Sequence, residues 1–283
     1  MTQPPPPEPL RGVEPDAGQR RSADAVIGAP RIASLVPSVT ELLVALGLGP
    51  CLVARTGYCV HPAEAVARVP KVGGTKNVNL AKLLRLAPTH VIVNVDENRR
   101  ETVAALRGVV PDVLVTHPCA PEDVGALIAQ IAAAFAAVPG VADRAAALDA
   151  ELQAEMLATR PEGRAEVPVL YLIWREPWMT VARDTYIARL LARVNWRTLP
   201  ALDGGESGAA RYPVLTGDEP WLTAVREVLL SSEPYAFGPA HLPLAQALAP
   251  SARVRLVDGE RLSWYGSRTA AGLRYLRALA EQP

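Results

Sequence analysis

Apolar runs of strand length alternate with segments of helical periodicity over residues 31–120. Short runs rich in branched apolar residues predict strands at 31–36, 52–54, 90–95 and 112–116. Apolar residues at helical spacing predict helices between them, at 38–46, 79–86 and 97–108. The first helix is predicted to begin with a capping box formed by Ser38 and Glu41. This alternation predicts an α/β layer built on a mostly parallel sheet.

The pattern changes after residue 120. Residues 121–159 carry no strand signal, and Pro139 and Gly140 divide them into two predicted helices, the second covering 141–160. A second α/β unit follows, with strands predicted at 167–173 and 252–257 and helices at 185–194, 219–230 and 269–281. We therefore predict an α/β fold with two Rossmann-like α/β lobes joined by a long backbone helix. A single doubly wound domain with a long insertion is the alternative.

These segments define four predicted regions. They are a proline-rich tail at 1–30, an N-terminal lobe at 31–120, a helical connector at 121–163 and a C-terminal lobe at 164–283. Four consecutive prolines in the tail fix φ and remove backbone donors, so we predict extended or disordered coil there. The tail is either a solvated segment without function or a tether for a partner.

Composition and charge exclude several classes of protein. Lys and Arg total 29, as do Asp and Glu, so the chain lacks the basic footprint of a nucleic-acid-binding protein. The sequence contains no run of about 18 apolar residues, so it predicts no membrane-spanning helix. Residues 1–30 lack the basic start and apolar stretch of a secretory signal, which predicts a cytoplasmic protein; a periplasmic location would require a start site further upstream. With 3 cysteines, reduced thiols are a simpler interpretation than one disulfide.

Residue patterns typical of metal binding or catalysis are missing from the sequence. Cys59 and His61 form a close pair of metal-ligating residues, but a pair alone does not complete a metal site, so we predict no dedicated metal site and no required cofactor. The 205–208 segment lacks the second glycine of a nucleophile elbow, and 73–76 lacks the spacing of a phosphate-binding loop. The sequence therefore favours a binding protein over an enzyme.

Aromatic residues make up only 5% of the chain, yet they gather at predicted loop edges. Trp174 and Trp178 follow the end of a predicted strand, and Trp264 and Tyr265 lie between a strand and a helix. Ligands of open α/β sheets bind at the carboxyl ends of the strands, and flat aromatic faces beside an arginine suit a large planar ligand. Arg268 is predicted to donate paired hydrogen bonds to amide, carboxylate or phosphate groups of that ligand. The alternative is that the tryptophans fill the lobe interface.

Five segments carry a resemblance to a known family. They are RIASLVPSVTELLVALGLG at 31–49, Tyr58-Cys-Val-His-Pro62, PKVGGTKNVNLAKLLRLAPTHVIV at 70–93, the long mid-chain helix and the 263–265 segment. Over residues 31–283 the chain resembles class III substrate-binding proteins of transporters, the helical-backbone metal receptors, and most closely their vitamin B12-binding branch. The resemblance implies two rigid lobes, joined by a helix, that hold a metal chelate in the cleft between them.

The resemblance also implies which residues bind the ligand. Tyr58 falls where the B12-binding protein has a tyrosine against the corrin. Trp264 and Tyr265 fall where that protein has a Trp-Phe pair on the opposite lobe. Trp174 and Trp178 lie in a loop that borders the same cleft.

Two positions depart from the family pattern. The first-lobe cleft tryptophan of the family falls on Thr75, so one stacking surface is lost, and Thr75 and Lys76 complete the predicted ligand-binding set. The glutamate by which the family docks its first lobe on a transporter falls on Ala81, while its second-lobe counterpart falls on Asp218 or Glu219. The missing secretory signal and the missing docking glutamate together predict a cytoplasmic relative without a transporter partner.

The sequence as a whole predicts a cytoplasmic binding protein for a small-molecule metal chelate. Cobalamin or another corrinoid, heme and an iron chelate all suit the predicted cleft, and His61 could reach an axial position of a bound cobalt. Three alternatives stay open at this point. They are an enzyme on the same fold with Glu176 or Asp184 as its base, an interaction module recruited through the tail, and a conventional transporter subunit.

Overall fold

The computed structural model describes residues 28–282, and two parallel β-sheets organise them. The strands of the first sheet are β1 (Ile32–Ser34), β2 (Leu52–Arg55), β3 (His90–Asn94) and β4 (Asp112–Thr116). Their order across the sheet is β2-β1-β3-β4, and every neighbouring pair is parallel. The predicted strands therefore lie in one sheet, as expected for strands that alternate with helices.

Four helices belong to the first lobe. They are α1 (Pro37–Ala45), α2 (Ala63–Val66), α3 (Leu80–Arg85) and α4 (Arg100–Leu106). The predicted capping box of Ser38 and Glu41 is wrong, because α1 begins at Pro37 after Val36 and has no side-chain cap. Proline is favoured at a first helical position because its φ suits the helix and it has no N–H to satisfy.

Two helices connect the lobes, α5 (Val124–Ala134) and α6 (Val141–Ala158). Gly140 lies between them with a φ of 78°, a left-handed conformation that glycine adopts without a steric penalty. Helix α6 packs against α5, and its buried Leu152 belongs to the main apolar core. This helix is the long backbone helix that the sequence predicts.

The second sheet repeats the parallel arrangement. Its strands are β5 (Val167–Leu172), β6 (Trp196–Thr198), β7 (Glu227–Ser231) and β8 (Arg253–Val257), in the order β6-β5-β7-β8. Its helices are α7 (Tyr186–Ala192), α8 (Leu242–Leu248), α9 (Gly259–Ser263) and α10 (Thr269–Glu281). Because the two sheets are separate, the alternative of a single doubly wound domain is wrong.

One predicted helix in this lobe is wrong, at 219–230. A short 3-10 turn at Pro220–Ala224 stands there, followed by β7 in the middle of the sheet. Val228, Leu229 and Leu230 are fully buried, and a short apolar run of this kind does not distinguish a buried strand from a buried helix. The sequence pattern also misses β6 and α8, which are only 3 and 7 residues long.

A continuous apolar core runs from the first lobe through the connector into the second lobe. It includes Leu42 on α1, Ile131 on α5, Leu229 on β7 and Leu273 on α10. Burial of these side chains supplies the main force that holds the lobes on the connector.

Three further observations concern the predictions on membranes, thiols and the tail. None of the helices within residues 28–282 is long and apolar enough to cross a bilayer. Cys51, Cys59 and Cys119 are free thiols. Residues 1–27 of the predicted tail lie outside the described residues, so the prediction for the tail is not tested.

Candidate ligand-binding cleft between the lobes

Loops that follow the strands of the two sheets meet at the junction between the lobes. In the first lobe, the loop after β2 carries Tyr58 and His61, and the loop after β3 carries Glu97. His61 lies 3.1 Å from Glu260 of the second lobe, and Glu97 accepts a hydrogen bond from Tyr265 at 3.2 Å. Each sheet therefore presents the loop edge where ligands of parallel α/β sheets bind.

A network of ion pairs joins the lobes at this junction. Arg268, which precedes α10, lies with Nε 2.5 Å from Glu41 Oε2 of the first lobe and with Nη1 2.6 Å from Glu260 Oε2. Burial lowers the pKa of the Arg268 guanidinium, but Glu41 and Glu260 more than offset this effect and raise the pKa. In this structure the predicted ligand-binding fork holds two protein carboxylates, and its contact with a ligand stays a prediction.

Trp264 and Tyr265 fill the space beside this network, each only 8% exposed. The guanidinium carbon of Arg268 lies 4.8 Å from the centroid of the Trp264 ring, and the His61 ring packs edge to face on it at 5.5 Å. Tyr265 packs edge to face on Tyr186 at 5.7 Å. Both residues thus pack at the lobe interface, as the alternative interpretation of the sequence expects.

Two carboxyl groups lie at the lobe junction without an ion-pair partner within residues 28–282. Glu97 accepts the hydrogen bond from Tyr265 Oη, and burial raises its pKa to about 7. Glu233, in the loop after β7, accepts a hydrogen bond of 2.5 Å from Ser263 Oγ, and burial raises its pKa as well. Glu97 can therefore donate or accept a hydrogen bond near neutral pH.

A second ion-pair cluster between the lobes is more deeply buried. Arg211, only 1% exposed, lies with Nε 3.1 Å from Asp96 Oδ1 of the first lobe and with Nη1 3.6 Å from Asp184 Oδ2. His117 lies 3.4 Å from Asp96, and Cys119 Sγ accepts a hydrogen bond from Arg211 Nη2 at 3.5 Å. Asp184, a candidate base in the enzyme alternative, is therefore the partner of a buried arginine.

A group of stacked rings lies in the second lobe, in the loops that follow β5 and β7. Trp174 packs edge to face on Tyr235 with ring centroids 5.5 Å apart, and Tyr235 contacts Phe237 at 4.6 Å. Trp178 stacks on Phe237 with the ring planes 10° apart. Trp174 is 41% exposed, so this group leaves part of its aromatic surface accessible to solvent.

Tyr58 provides an aromatic surface on the first-lobe side and is 65% exposed. Its ring rests on Gly74, where an added Cβ would lie 3.3 Å from Tyr58 Cε2. In the same loop, the Thr75 carbonyl accepts a hydrogen bond from Asn98 at 3.0 Å, and Lys76 Nζ donates to a backbone carbonyl of the loop after β3 at 2.6 Å. The glycine-rich loop therefore supports the tyrosine and fixes its neighbours.

The structure places the predicted residues in two adjoining groups. One group lies around the lobe junction and contains Tyr58, Thr75, Lys76, Trp264, Tyr265 and Arg268. The other is the ring group with Trp174 and Trp178, and Glu233, two residues before Tyr235, connects it to Ser263 at the junction.

Sequence reasoning misses six charged residues of the junction. They are Glu41, Asp96, Glu97, Arg211, Glu233 and Glu260. Glu97 and Glu233 follow the carboxyl ends of β3 and β7 closely, which is the signal that could have identified them. Arg211 and Glu41 have no such signal, because their partners are distant in the sequence.

Two observations bear on metal binding and catalysis. Within residues 28–282, no group of at least 3 His, Cys, Asp or Glu side chains could hold a metal ion. Glu176, the other candidate base, is 77% exposed and lies 3.1 Å from Arg175. It therefore has the environment of a solvated surface residue.

Known proteins resemble this chain in sequence. A match to the periplasmic binding protein family covers residues 32–210. The vitamin B12-binding protein of Pectobacterium carotovorum is 25% identical over 208 residues, which are 73% of this chain and 69% of that protein. The vitamin B12-binding protein of Vibrio cholerae is 37% identical over 79 residues, which are 28% of each chain.

Solved structures resemble it in fold. The periplasmic vitamin B12 binding protein of Vibrio cholerae matches with a TM-score of 0.74 at 22% identity, over 90% of this chain and 99% of that chain. The periplasmic heme binding protein of the same species matches with a TM-score of 0.72 at 22% identity, over 90% and 100%. These likenesses confirm the predicted α/β fold with two lobes. The family match covers more than half of the residues of this chain, which therefore belongs to the periplasmic binding protein family.

Proposed function

We propose that this protein is a solute-binding protein that holds a planar metal chelate, and a corrinoid in particular, between its two lobes. The family match and the relatives named for vitamin B12 support a binding protein of this type. The observation that carries the finer part is the exposed aromatic surface of two residues, Tyr58 in the loop after β2 of the first lobe and Trp174 in the loop after β5 of the second.

Stacking on these surfaces would supply much of the affinity. Tyr58 rests on Gly74 and Trp174 on Tyr235, so both rings are held in place before a ligand arrives. Aromatic pairs in offset or edge-to-face contact contribute about 0.5–1.5 kcal/mol each beyond the area they bury. Pre-positioned rings also lose little side-chain entropy when a ligand binds.

The charges at the junction support a corrinoid, whose rim carries amides, over heme, whose rim carries carboxylates. Arg268 and Arg211 each lie against two carboxylates of the protein. Glu97 and Glu233 have no ion-pair partner within the described part of the chain. Ligand carboxylates would therefore compete with protein carboxylates for these two arginines, whereas ligand amides could exchange hydrogen bonds with Glu97 and Glu233.

A calorimetric titration of the full chain with three ligands tests this proposal. They are hydroxocobalamin, hemin and the bis-amide of hemin, which keeps the ring and the iron but lacks the carboxylates. We expect hydroxocobalamin to bind with a micromolar Kd or tighter, which is at least about 8 kcal/mol, and the bis-amide to bind more tightly than hemin. Tightest binding of hemin would overturn the corrinoid part alone. If none of the three bound, the whole proposal would fall.

We also propose that the protein acts in the cytoplasm without a transporter. The support is Ala81, which is exposed on α3 where the resemblance implies a docking glutamate. Glu219, its possible second-lobe counterpart, accepts hydrogen bonds from the backbone N–H groups of Thr216 and Gly217. Cell fractionation tests the proposal, and recovery of the protein in the periplasm or together with a membrane permease would contradict it.

A further inference from the structure

A cavity of about 360 Å³ lies along the free edge of the second sheet and shares no lining residue with the interlobe cleft described above. Its charged lining residues are three arginines, Arg183, Arg189 and Arg197, and one carboxylate, Glu166. We propose that this cavity binds a small molecule that carries a phosphate or pyrophosphate group. The inference is independent of the ligand of the interlobe cleft.

The cavity wall includes the backbone of an edge strand. Strand β6 pairs only with β5, and Leu199 N, just beyond it, donates to Val169 O at 2.8 Å. Because alternate residues of a parallel strand face opposite edges, the backbone groups of Trp196 and Thr198 point to the free edge. Arg183 Nε reaches Thr198 O from that side at 3.1 Å. The N–H groups of this edge are therefore donors at the cavity wall.

The guanidinium groups at the cavity are available to a ligand. The Arg189 side chain makes no hydrogen bond or ion pair with another residue of the described chain. Arg197 Nε lies 3.7 Å from Glu166 Oε2, and both side chains are largely exposed, so this pair is weak and an anion could displace it. Arg183 uses only Nε in its contact with the strand. Arginine forks bind phosphate oxygens through paired hydrogen bonds, which favours an oxyanion here.

A buried hydroxyl group at the cavity also lacks a partner. Thr198 is 2% exposed, and its Oγ1 has no hydrogen-bond partner among residues 28–282. Buried polar groups are nearly always hydrogen-bonded, so an unpaired hydroxyl on a residue that lines a cavity is a candidate for a ligand contact. A phosphate oxygen is an acceptor of the kind that this hydroxyl needs.

The apolar part of the lining indicates that the ligand is an organic phosphate. Ala188, Ala192 and Trp196 line the cavity beside the arginines. A phosphate group bound by the arginines would leave this apolar wall for the organic part of the ligand.

Calorimetry of the full chain with pyrophosphate at low ionic strength tests the site. We expect a Kd below about 1 mM, which corresponds to about 4 kcal/mol. Arg189→Gln should weaken binding at least tenfold, whereas Arg107→Gln, an exposed arginine of the first lobe, should leave it unchanged. Glu166→Gln should strengthen binding severalfold, a gain that misfolding cannot produce.

Several outcomes would overturn the inference. They are the absence of binding at 5 mM pyrophosphate (about five times the expected upper limit on Kd), equal weakening by Arg107→Gln and Arg189→Gln, and binding of sulfate as tight as that of pyrophosphate. Thr198→Val provides a further test, because it removes the hydroxyl while keeping the shape of the side chain. We expect weaker binding with an unchanged or higher Tm, and unchanged affinity would overturn the part assigned to Thr198.

Discussion

Tyr265 of the second lobe donates a hydrogen bond to Glu97 of the first lobe, with Oη 3.2 Å from Oε1. The bond crosses the lobe junction, and Tyr265 is itself only 8% exposed. Burial raises the pKa of Glu97 to about 7, and the hydrogen bond opposes this effect only in part. The protonation state of this one carboxyl group therefore depends on whether the lobes are packed together.

This relationship predicts a pH dependence of stability. The pKa of Glu97 in the folded chain lies above its ordinary value of 4.5, so the folded state binds this proton more tightly than the unfolded state. The free energy of unfolding should fall as the pH rises from about 5 to 7 and level off above that range. Glu97→Gln should make this fall smaller by an amount on the order of 2 kcal/mol. The reason is that a difference of one pKa unit between the folded and unfolded states contributes about 1.4 kcal/mol to the free energy of unfolding.

Urea unfolding at pH 5 and pH 8 measures the effect. Glu101→Gln is the matched control. Because Glu101 is exposed on α4, this substitution should not change the pH dependence of the free energy of unfolding. An identical pH profile for Glu97→Gln and the wild type would show that Glu97 is ionised normally in the folded chain.

A second prediction concerns the coupling of Arg268 to Glu41 across the lobes. A double-mutant cycle with Arg268→Met and Glu41→Gln should give a coupling energy of about 1–3 kcal/mol in urea unfolding, because both side chains are partly buried and lie 2.5 Å apart. The same cycle on the more exposed pair of Arg164 and Glu281 should give less than about 1 kcal/mol. Equal couplings for the two pairs would contradict the role of Arg268 as a clamp between the lobes.

A third prediction concerns the buried Arg211. Arg211→Met should lower the free energy of unfolding by about 3–5 kcal/mol, because it leaves Asp96 and Asp184 without a cation. Adding Asp96→Asn and Asp184→Asn should recover part of the loss. Arg226→Met, at an exposed arginine, should cost less than about 0.5 kcal/mol. If Arg211→Met also lowered the free energy of unfolding by less than about 0.5 kcal/mol, the cluster would be solvated and not buried.

The sequence predicts the strands of the first lobe well because their signals are local. Strand β4 has the predicted bounds, 112–116, and β3 differs from its predicted run only by the last residue. In both strands the run is rich in β-branched residues, which favours a strand over a helix. The second lobe is harder, because β6 has only 3 residues and the run around Leu229 suits a helix or a buried strand equally well.

The candidate site also contains residues that the sequence predicts and residues that it does not. Aromatic residues at loop edges indicate the cleft from sequence alone, because their positions relative to strand ends are local information. The ion pairs and hydrogen bonds that join the lobes cannot be predicted from local sequence. Arg268 and Glu41 are 227 positions apart, and Tyr265 and Glu97 are 168 apart. Only the three-dimensional fold reveals that the predicted ligand-binding arginine has two protein carboxylates as partners.

A fourth prediction separates ligand binding from stability at Tyr58. The side chain is 65% exposed, so Tyr58→Ala should change the free energy of unfolding by less than about 0.5 kcal/mol. Loss of one stacking surface should weaken hydroxocobalamin binding about tenfold, which is about 1.4 kcal/mol. Leu157→Ala, at a residue 61% exposed on the connector helix α6, is the control and should bind the ligand as the wild type does. If Tyr58→Ala and Leu157→Ala bound hydroxocobalamin equally well in calorimetry, Tyr58 would not be a wall of the binding site.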